Sequence, residues 1–351
     1  MFFKHYFIMD KNLYTHLISK VDISSIDALC SSISAVAPYV STLAIQSEFL
    51  SERLTFYKLA SNRRHAYTQF EIPKKSGGKR VILAPKKEIK QIQTALNFIL
   101  SCIYTASPAT MGFVNERSVR DNAQLHINKN YVFNIDLQDF FPSITGRMVE
   151  HSLSNMGVEP FVARLIAEVC TIPEDKPNSH RNYLPQGAPT SPILSNICCR
   201  VLDKRLIGLA NRFHLAYSRY ADDITFSSNH NVYQPYSEFW IELQQIISDC
   251  GFQINPTKTR LQKRGERQEV TGVSVNEKTN VSRKYIKNLR ALIHHIAHER
   301  LSAHKVNVAR GKLNYLRMIK GADDNTYRTL CIKLNLALKG RHFPKKKKTK
   351  K

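Results

Sequence analysis

The sequence predicts an α+β protein in which short antiparallel strands carry acidic residues to one sheet edge, packed among amphipathic helices. Residues 218–228, SRYADDITFSS, read as a β-hairpin with two adjacent aspartates, Asp222 and Asp223, in its middle. Residues 131–137, YVFNIDL, read as a β-run in which Phe133, Ile135 and Leu137 alternate with Asn134 and Asp136. Elsewhere, apolar residues recur at helical spacing, as at Ile89, Ile92, Leu96 and Ile99.

The elements follow in chain order. Residues 10–60 carry helical patterning, first at Leu13, Leu17 and Val21, then at Leu43, Leu50 and Leu54. Residues 67–85, YTQFEIPKKSGGKRVILAP, read as two strands around a Ser-Gly-Gly turn with a basic tip. A helix follows over 86–104, then the 131–137 strand and a turn into the next helix. After a loop at 173–190, Ser191-Pro192 reads as an N-cap with proline at the first helical position, opening one helix through ILSNICCRVLDKRLIGLA. The hairpin at 215–228, a helix at 237–249 and a strand pair around 268–281 come next. Three helical stretches follow, marked by Ile286, Leu289, Ile293 and Ile296, by Leu313, Leu316 and Ile319, and by Leu330, Leu334 and Leu338. The tail KKKKTKK is a charge run that adds non-specific attraction to phosphates.

Bulk properties narrow the partner. The 351 residues, 42% of them apolar, suit a large core with two or three subdomains. Fifty-two Lys and Arg against 28 Asp and Glu leave a net charge of +24, which calls for a polyanion. No stretch approaches the ~18–20 apolar residues that span a bilayer, so nucleic acid is favoured over membrane. The start, MFFKHYFIMDKN, lacks a signal-peptide core, and either Met1 or Met9 can be the first residue. Seven scattered cysteines without a CxxC pair indicate a reduced, cytoplasmic protein without a cysteine zinc site.

Four segments carry chemistry. Side chains alternate along a strand, so Asp222 and Asp223 share an edge only if the hairpin turns there, at Ala221–Asp223. A solvated turn is the competing reading. Asp136, near the end of an apolar strand, is costly unless neutralised. Two acid-ended strands can converge on two Mg²⁺ ions about 3.5–4 Å apart, one activating a hydroxyl, the other holding a triphosphate. Magnesium suits a few carboxylates plus substrate phosphates. In YLPQGAPTSPILSN (183–196), Gly187 permits close backbone approach and the prolines stiffen the loop. In the 67–85 hairpin, Lys74, Lys75, Lys79 and Arg80 can clamp phosphates. Each of the last two segments also reads as an ordinary loop or solvated turn.

Taken in order, Asp136, LPQG (184–187) and YADD (220–223) resemble the palm motifs of reverse transcriptases, and the resemblance covers about residues 60–340. Asn-Ala-x-x-His, present as NAQLH (122–126), and Val-Thr-Gly (270–272) are similar to patterns of the bacterial retron enzymes. Group II intron, diversity-generating and CRISPR-associated reverse transcriptases share the palm set and stay open as alternatives. The resemblance implies a right-hand polymerase. Its parts would be an N-terminal helical extension (1–60), fingers (61–130), a ferredoxin-like antiparallel palm (131–280, with a fingers-side insertion near 145–190), a helical thumb (281–340) and a basic tail (341–351). It implies RNA-directed DNA synthesis from deoxynucleoside triphosphates with two Mg²⁺ ions, for which Mn²⁺ substitutes.

The resemblance also implies residue roles. Asp136, Asp222 and Asp223 would ligate the metals, helped by the Leu137 carbonyl. Lys75 and Arg80 would hold the triphosphate, with Lys74 an alternative to Lys75. Phe141 would be the steric gate that selects deoxynucleotides. Gln186 and Gly187 would meet the incoming nucleotide and its template base, and Lys258 in NPTKTR would assist the leaving pyrophosphate. Val270, Thr271 and Gly272 would grip the primer. Asn122 and His126 would contact RNA, although a satisfied structural histidine is an equal reading. Arg290 and Arg300 would line a nucleic-acid groove with His294 and His298, whose i, i+4 spacing lacks the HExxH order of a zinc site.

The implied partners are a cognate structured non-coding RNA, serving as template and primer, and its DNA product, started from a 2′-hydroxyl to give a branched hybrid. A separate effector protein in anti-phage defence and a host RNase H are implied as well, because the stretch after Gly272 suits a thumb but not also an RNase H domain. Two rival classes are a non-catalytic RNA-binding scaffold and a nucleotide cyclase. Three costly carboxylates argue against the first, and the basic fingers and thumb against the second.

Overall fold

Period-2 alternation in YVFNID builds the centre of the molecule. In chain order, the computed structural model describes residues 11–40, 58, 60–61, 63–74, 77–177, 179–298 and 302–339. Met1, Met9, Leu43, Leu50, Leu54, Lys75, Arg300 and the basic tail lie outside them. The described chain starts with helices α1 (Lys11–Ile18) and α2 (Ile26–Val40), then the hairpin β1 (Tyr67–Pro73) and β2 (Lys79–Pro85), and α3 (Lys87–Ile103). Next come α4 (Val119–Gln124), β3 (Tyr131–Asp136), α5 (Phe140–Ser143), α6 (Gly146–Ser154), α7 (Pro160–Cys170) and the short strands β4 (Ile172–Pro173) and β5 (Asn182–Tyr183). Helices α8 (Ser191–Cys198) and α9 (Arg200–Arg212) lead to β6 (Ala216–Tyr220) and β7 (Asp223–Ser228). Then follow α10 (Glu238–Asp249), β8 (Arg260–Lys263), β9 (Glu269–Val270), β10 (Val273–Ser274), α11 (Arg283–His298), α12 (Ala303–Lys320) and α13 (Asn325–Leu338).

The main sheet runs β8–β3–β7–β6, with every neighbour antiparallel. A long connection running from α5 to α9, with β4 and β5 inside it, joins β3 to β6, and α10 connects β7 to β8, which is the split βαβ (ferredoxin-like) arrangement expected for the palm. The two faces of the sheet differ in chemistry. Phe133 and Ile135 pair with Phe226 and Ile224 and look toward the helices. There Phe226 meets Phe239 of α10 edge-on at 5.2 Å, and Phe133 stacks on Tyr233 at 5.1 Å. Val132, Asn134 and Asp136 occupy the other face, opposite Ser227, Thr225 and Asp223. That face is polar because it borders a cleft.

A second core gathers α11, α12 and α13 through Leu289, Ile293, Leu313, Leu316, Leu330 and Leu334, and Val270 and Val273 of the β9–β10 hairpin join it. The helical thumb therefore packs around the hairpin that carries Val-Thr-Gly.

Two local expectations are corrected. The single helix expected from Ser191 onward is interrupted at Cys199, which relaxes to φ −81, ψ 2 while helical bonds continue across it. Ser191 is the first helical residue rather than the N-cap, and its hydroxyl donates to the Pro185 carbonyl at 2.6 Å, tying the helix to the LPQG loop. Among the described residues no disulfide joins the cysteines, and no helix is long and apolar enough to cross a membrane.

Candidate active site

The acidic hairpin turns over two residues, Ala221 and Asp222, with Tyr220 paired to Asp223 across it. Ala221 takes φ 58, a left-handed conformation that side chains resist. The turn is thus one residue shorter than expected, and Asp223 already belongs to β7. Asp223 lies directly opposite Asp136, so both side chains leave the same face, with Cα atoms about 5 Å apart. The Leu137 N–H donates to the Asp222 carbonyl at 3.0 Å, stapling the turn to the end of β3. Leu137 itself is buried.

Three carboxylates in one place repel, and the structure answers with Lys258. Its Nζ lies 2.8 and 2.9 Å from the two oxygens of Asp136, which is only 6% exposed. The segment around it is shaped by Asn255, whose side-chain oxygen accepts from the Thr257 N–H and hydroxyl, while its own N–H donates to the Asp136 carbonyl. Burial alone would lower the Lys258 ammonium, but the carboxylates, Asp136 first, hold it above its ordinary value.

Burial and the charge of Asp136 raise Asp222, with Lys258 and Arg80 pulling the other way. Burial of the carboxyl in the cleft wall, then the charges of Asp222 and Asp136, push Asp223 up to about 7. Asp223 still keeps an exposed side. A cleft of about 540 Å³ opens here, lined by Asp136, Tyr220, Asp223, Lys258, Arg260 and the Thr271–Gly272 turn among others. Arg260, two residues beyond Lys258 in the same NPTKTR run, opposes the upward shift of Asp223 and was missed by the sequence reading.

Among the described residues no three His, Cys, Asp or Glu side chains converge into a ready-made cage for an ion. The donors nevertheless fit Mg²⁺. They are hard carboxylate oxygens, two of them raised in pKa by burial and then by neighbouring carboxylate charge, and magnesium needs only one or two carboxylates plus phosphates and water.

The other expected residues are held by their own elements, and of them Arg80 is felt at Asp222. Phe141 on α5 packs against Phe140 at 5.4 Å and Phe113 at 6.2 Å, so the expected gate is braced by aromatics. Gln186 accepts the Leu83 N–H at 2.9 Å, binding the LPQG loop to β2. Gly187, at φ 122, lies so close to β2 that a Cβ would meet Ile82 Cγ2 at 2.8 Å and the Leu83 oxygen at 3.1 Å. The close approach that requires glycine is therefore to the fingers strand. Arg80 on that strand is exposed, whereas Lys79 is engaged by Glu71 at 2.6 Å.

Asn122 and His126 are interior, 1% and 0% exposed. His126 bridges Ser227 at 2.7 Å and Ser218 at 2.8 Å, Ser218 donates to Asn122 at 2.5 Å, and Asn122 donates to Thr271 at 3.3 Å. Side chains without surface cannot touch RNA, so the contact expected of them gives way to the structural alternative. Both retron-like patterns belong to this one network, which ends at Thr271 and Gly272, a two-residue turn with φ 47 and 82. Those two residues reach the cleft, while Val270 is buried in the thumb core. Arg290 lies apart from the cleft, in a groove of about 710 Å³ with His294 and Lys333.

The family model for reverse transcriptase (RNA-dependent DNA polymerase) matches residues 72–308 of this chain. The chain belongs to the reverse transcriptase family. It is 38% identical over 267 residues to the Retron Mx65 reverse transcriptase of Myxococcus xanthus, covering 73% of this chain and 62% of that protein. It is 34% identical over 268 residues to the Retron Ec86 reverse transcriptase of Escherichia coli, covering 75% and 79%. Among reverse transcriptases it is thus of the retron type. It spans somewhat less than two thirds of the first two retron relatives, 62% of the Mx65 protein and 54% of the Mx162 protein. In this reverse transcriptase the matched region includes the acid cluster, the LPQG loop and the 270–272 turn.

Proposed function

We propose that the chain is an RNA-directed DNA polymerase that copies part of a cognate structured non-coding RNA into single-stranded DNA linked to that RNA through a 2′ branch. The observation that carries this reading is the pairing of Asp136 with Asp223 beside the Asp222 turn, at a cleft lined by Lys258, Arg260 and the 271–272 turn, with the charge of Arg80 felt at Asp222. Asp136, Asp222 and Asp223 would hold Mg²⁺, with the Leu137 carbonyl as a further oxygen. Bound there, Mg²⁺ would lower the pKa of the attacking hydroxyl and screen the triphosphate and leaving pyrophosphate.

The protein's own groups do the rest. Arg80, with Lys75 from the hairpin tip, attracts the triphosphate. Gln186 and Gly187, docked on β2, present a fixed loop to the nascent base pair. Phe141 closes on the sugar and excludes a 2′-hydroxyl. Lys258, paired with Asp136 at 2.8 Å, would turn its charge to the leaving pyrophosphate. Thr271 and Gly272 hold the primer end, and Arg290, Arg300 and the tail attract the duplex backbone.

In this reading residues 61–130 work as fingers, 131–280 as palm and 281–340 as thumb. The enzyme acts in the cytoplasm in anti-phage defence with a separate effector protein, and a host RNase H trims the template RNA. Resemblance to retron enzymes supports these last roles.

Purified protein with its co-purifying RNA, supplied with deoxynucleotides and Mg²⁺, should extend DNA, and sequencing should place the RNA–DNA junction at a 2′ position. DNA extended only from free 3′ ends would contradict the branched product. Absence of both bound RNA and synthesis would contradict the polymerase.

A further inference from the structure

On the helix-covered face of the sheet, directly beneath the acidic turn, lies an ion pair that the polymerase reading does not use. Arg219 has no exposed surface, and its Nε and Nη2 donate to the two carboxylate oxygens of Asp203 at 2.7 Å each. Asp203, in the first turn of α9, also accepts from the Tyr217 hydroxyl at 2.7 Å and the Thr110 hydroxyl at 2.8 Å. The guanidinium then reaches upward. Its Nη1 donates to the carbonyl of Ala221 at 3.1 Å. Its Nη2 also donates to Asn196 Oδ1 at 3.3 Å, and Asn196 in turn donates to the Gly112 carbonyl at 2.9 Å. Gly112 is the floor under the turn, where a Cβ would stand 2.6 Å from the Ala221 nitrogen.

Stability alone does not account for this network, since a buried ion pair is commonly no more stabilising than an apolar group of equal volume. What an apolar group cannot do is hold a carbonyl. A guanidinium fixed by two bonds to a carboxylate offers its remaining hydrogens in set directions. The turn needs such a hold, because Ala221 is kept at a positive φ and Asp136, Asp222 and Asp223 repel one another above it.

The geometry points to Arg219, clamped by Asp203, as the positioning residue that fixes the Ala221–Asp222 turn and its carboxylates, with Gly112 as the surface on which the turn rests. This rests on the polymerase reading, and neither residue faces substrate.

The test compares Gly112→Ala and Arg219→Lys with wild type and Asp222→Asn, each purified with its co-purifying nucleic acid and checked for unchanged far-UV circular dichroism. The readouts are kcat, deoxynucleotide KM and half-saturating Mg²⁺ in primer extension, and Mn²⁺ binding followed by electron paramagnetic resonance without nucleotide. Gly112→Ala should keep the fold and KM, lower kcat about 10²-fold, as a displacement near 1 Å does, and weaken Mn²⁺ binding. Arg219→Lys keeps the charge but loses the fork, so it should give the same signature instead of a rescue. Folded Gly112→Ala with wild-type kcat, Mg²⁺ dependence and Mn²⁺ affinity would overturn the inference and leave the polymerase reading standing. Should Gly112→Ala not fold, wild-type values in Arg219→Lys would overturn it equally. Full activity in Asp222→Asn would instead sink the polymerase reading itself.

Discussion

His126 shows how much a single residue's surroundings decide. Burial, and then the charge of Lys129, pull its imidazole down to about 3, so the ring is neutral while bridging two serine hydroxyls. The sign of the pH effect follows. The unfolded chain takes up a proton near pH 6.5 and the folded chain only near pH 3, so His126 leaves stability intact above 6.5 and erodes it as pH falls through that window. The loss approaches about 1.4 kcal/mol per pH unit within the window. Urea unfolding of wild type and His126→Gln between pH 4 and 8 should show the variant less stable at pH 8 but with a shallower decline toward acid. Parallel declines would remove His126 as the titrating group.

Residues also mark where the sequence was legible. Asp136 stood out because a charged residue ending an apolar strand breaks the local pattern, and Asp222 and Asp223 because two acids sit side by side in a hairpin. Asn122 and His126 could not be placed, because a polar residue on a six-residue helix, or in the turn just after it, looks the same whether it faces RNA or a sheet. Arg219 could not be paired in advance, because Asp203 lies on a different element and only the packing of α9 against β6 brings the two together.

Among the elements, the LPQG loop and β2 behave as one unit. Gln186 bonds to β2, Ser191 bonds back to the loop, and Gly187 fits against Ile82 and Leu83 only without a side chain. Gly187→Ala combines a strained φ with a backbone clash, so it should cost about 1–3 kcal/mol or more. Because Arg80 rides on β2, the variant should also raise the deoxynucleotide KM. A thermal melt and a KM at wild-type values would contradict the coupling of loop and strand. The hairpins and the thumb helices were legible from turn residues and periodicity. The interruption at Cys199 was not, because helical hydrogen bonding and apolar spacing continue across it.

Across the whole molecule, charge and topology point the same way. The surplus of +24 attracts a polyanion, while the few carboxylates that matter are gathered at one end of the β3–β7 pair. The resemblance implied a ferredoxin-like antiparallel palm but no strand order, and β8 (Arg260–Lys263) was not expected, since periodicity does not order strands and RLQK is too short to show it. The second core, around α11–α13, joins the palm through the β9–β10 hairpin, so the thumb and the edge of the cleft share one support.

All of this converges on the claim that three carboxylates at one sheet edge carry out templated DNA synthesis. The direct measurement is extension of a primer on an RNA template, with deoxynucleotides and Mg²⁺, by wild type and by folded Asp222→Asn. The account predicts that wild type extends and that the variant is slower by about 10²- to 10³-fold at saturating nucleotide. Equal rates would contradict it.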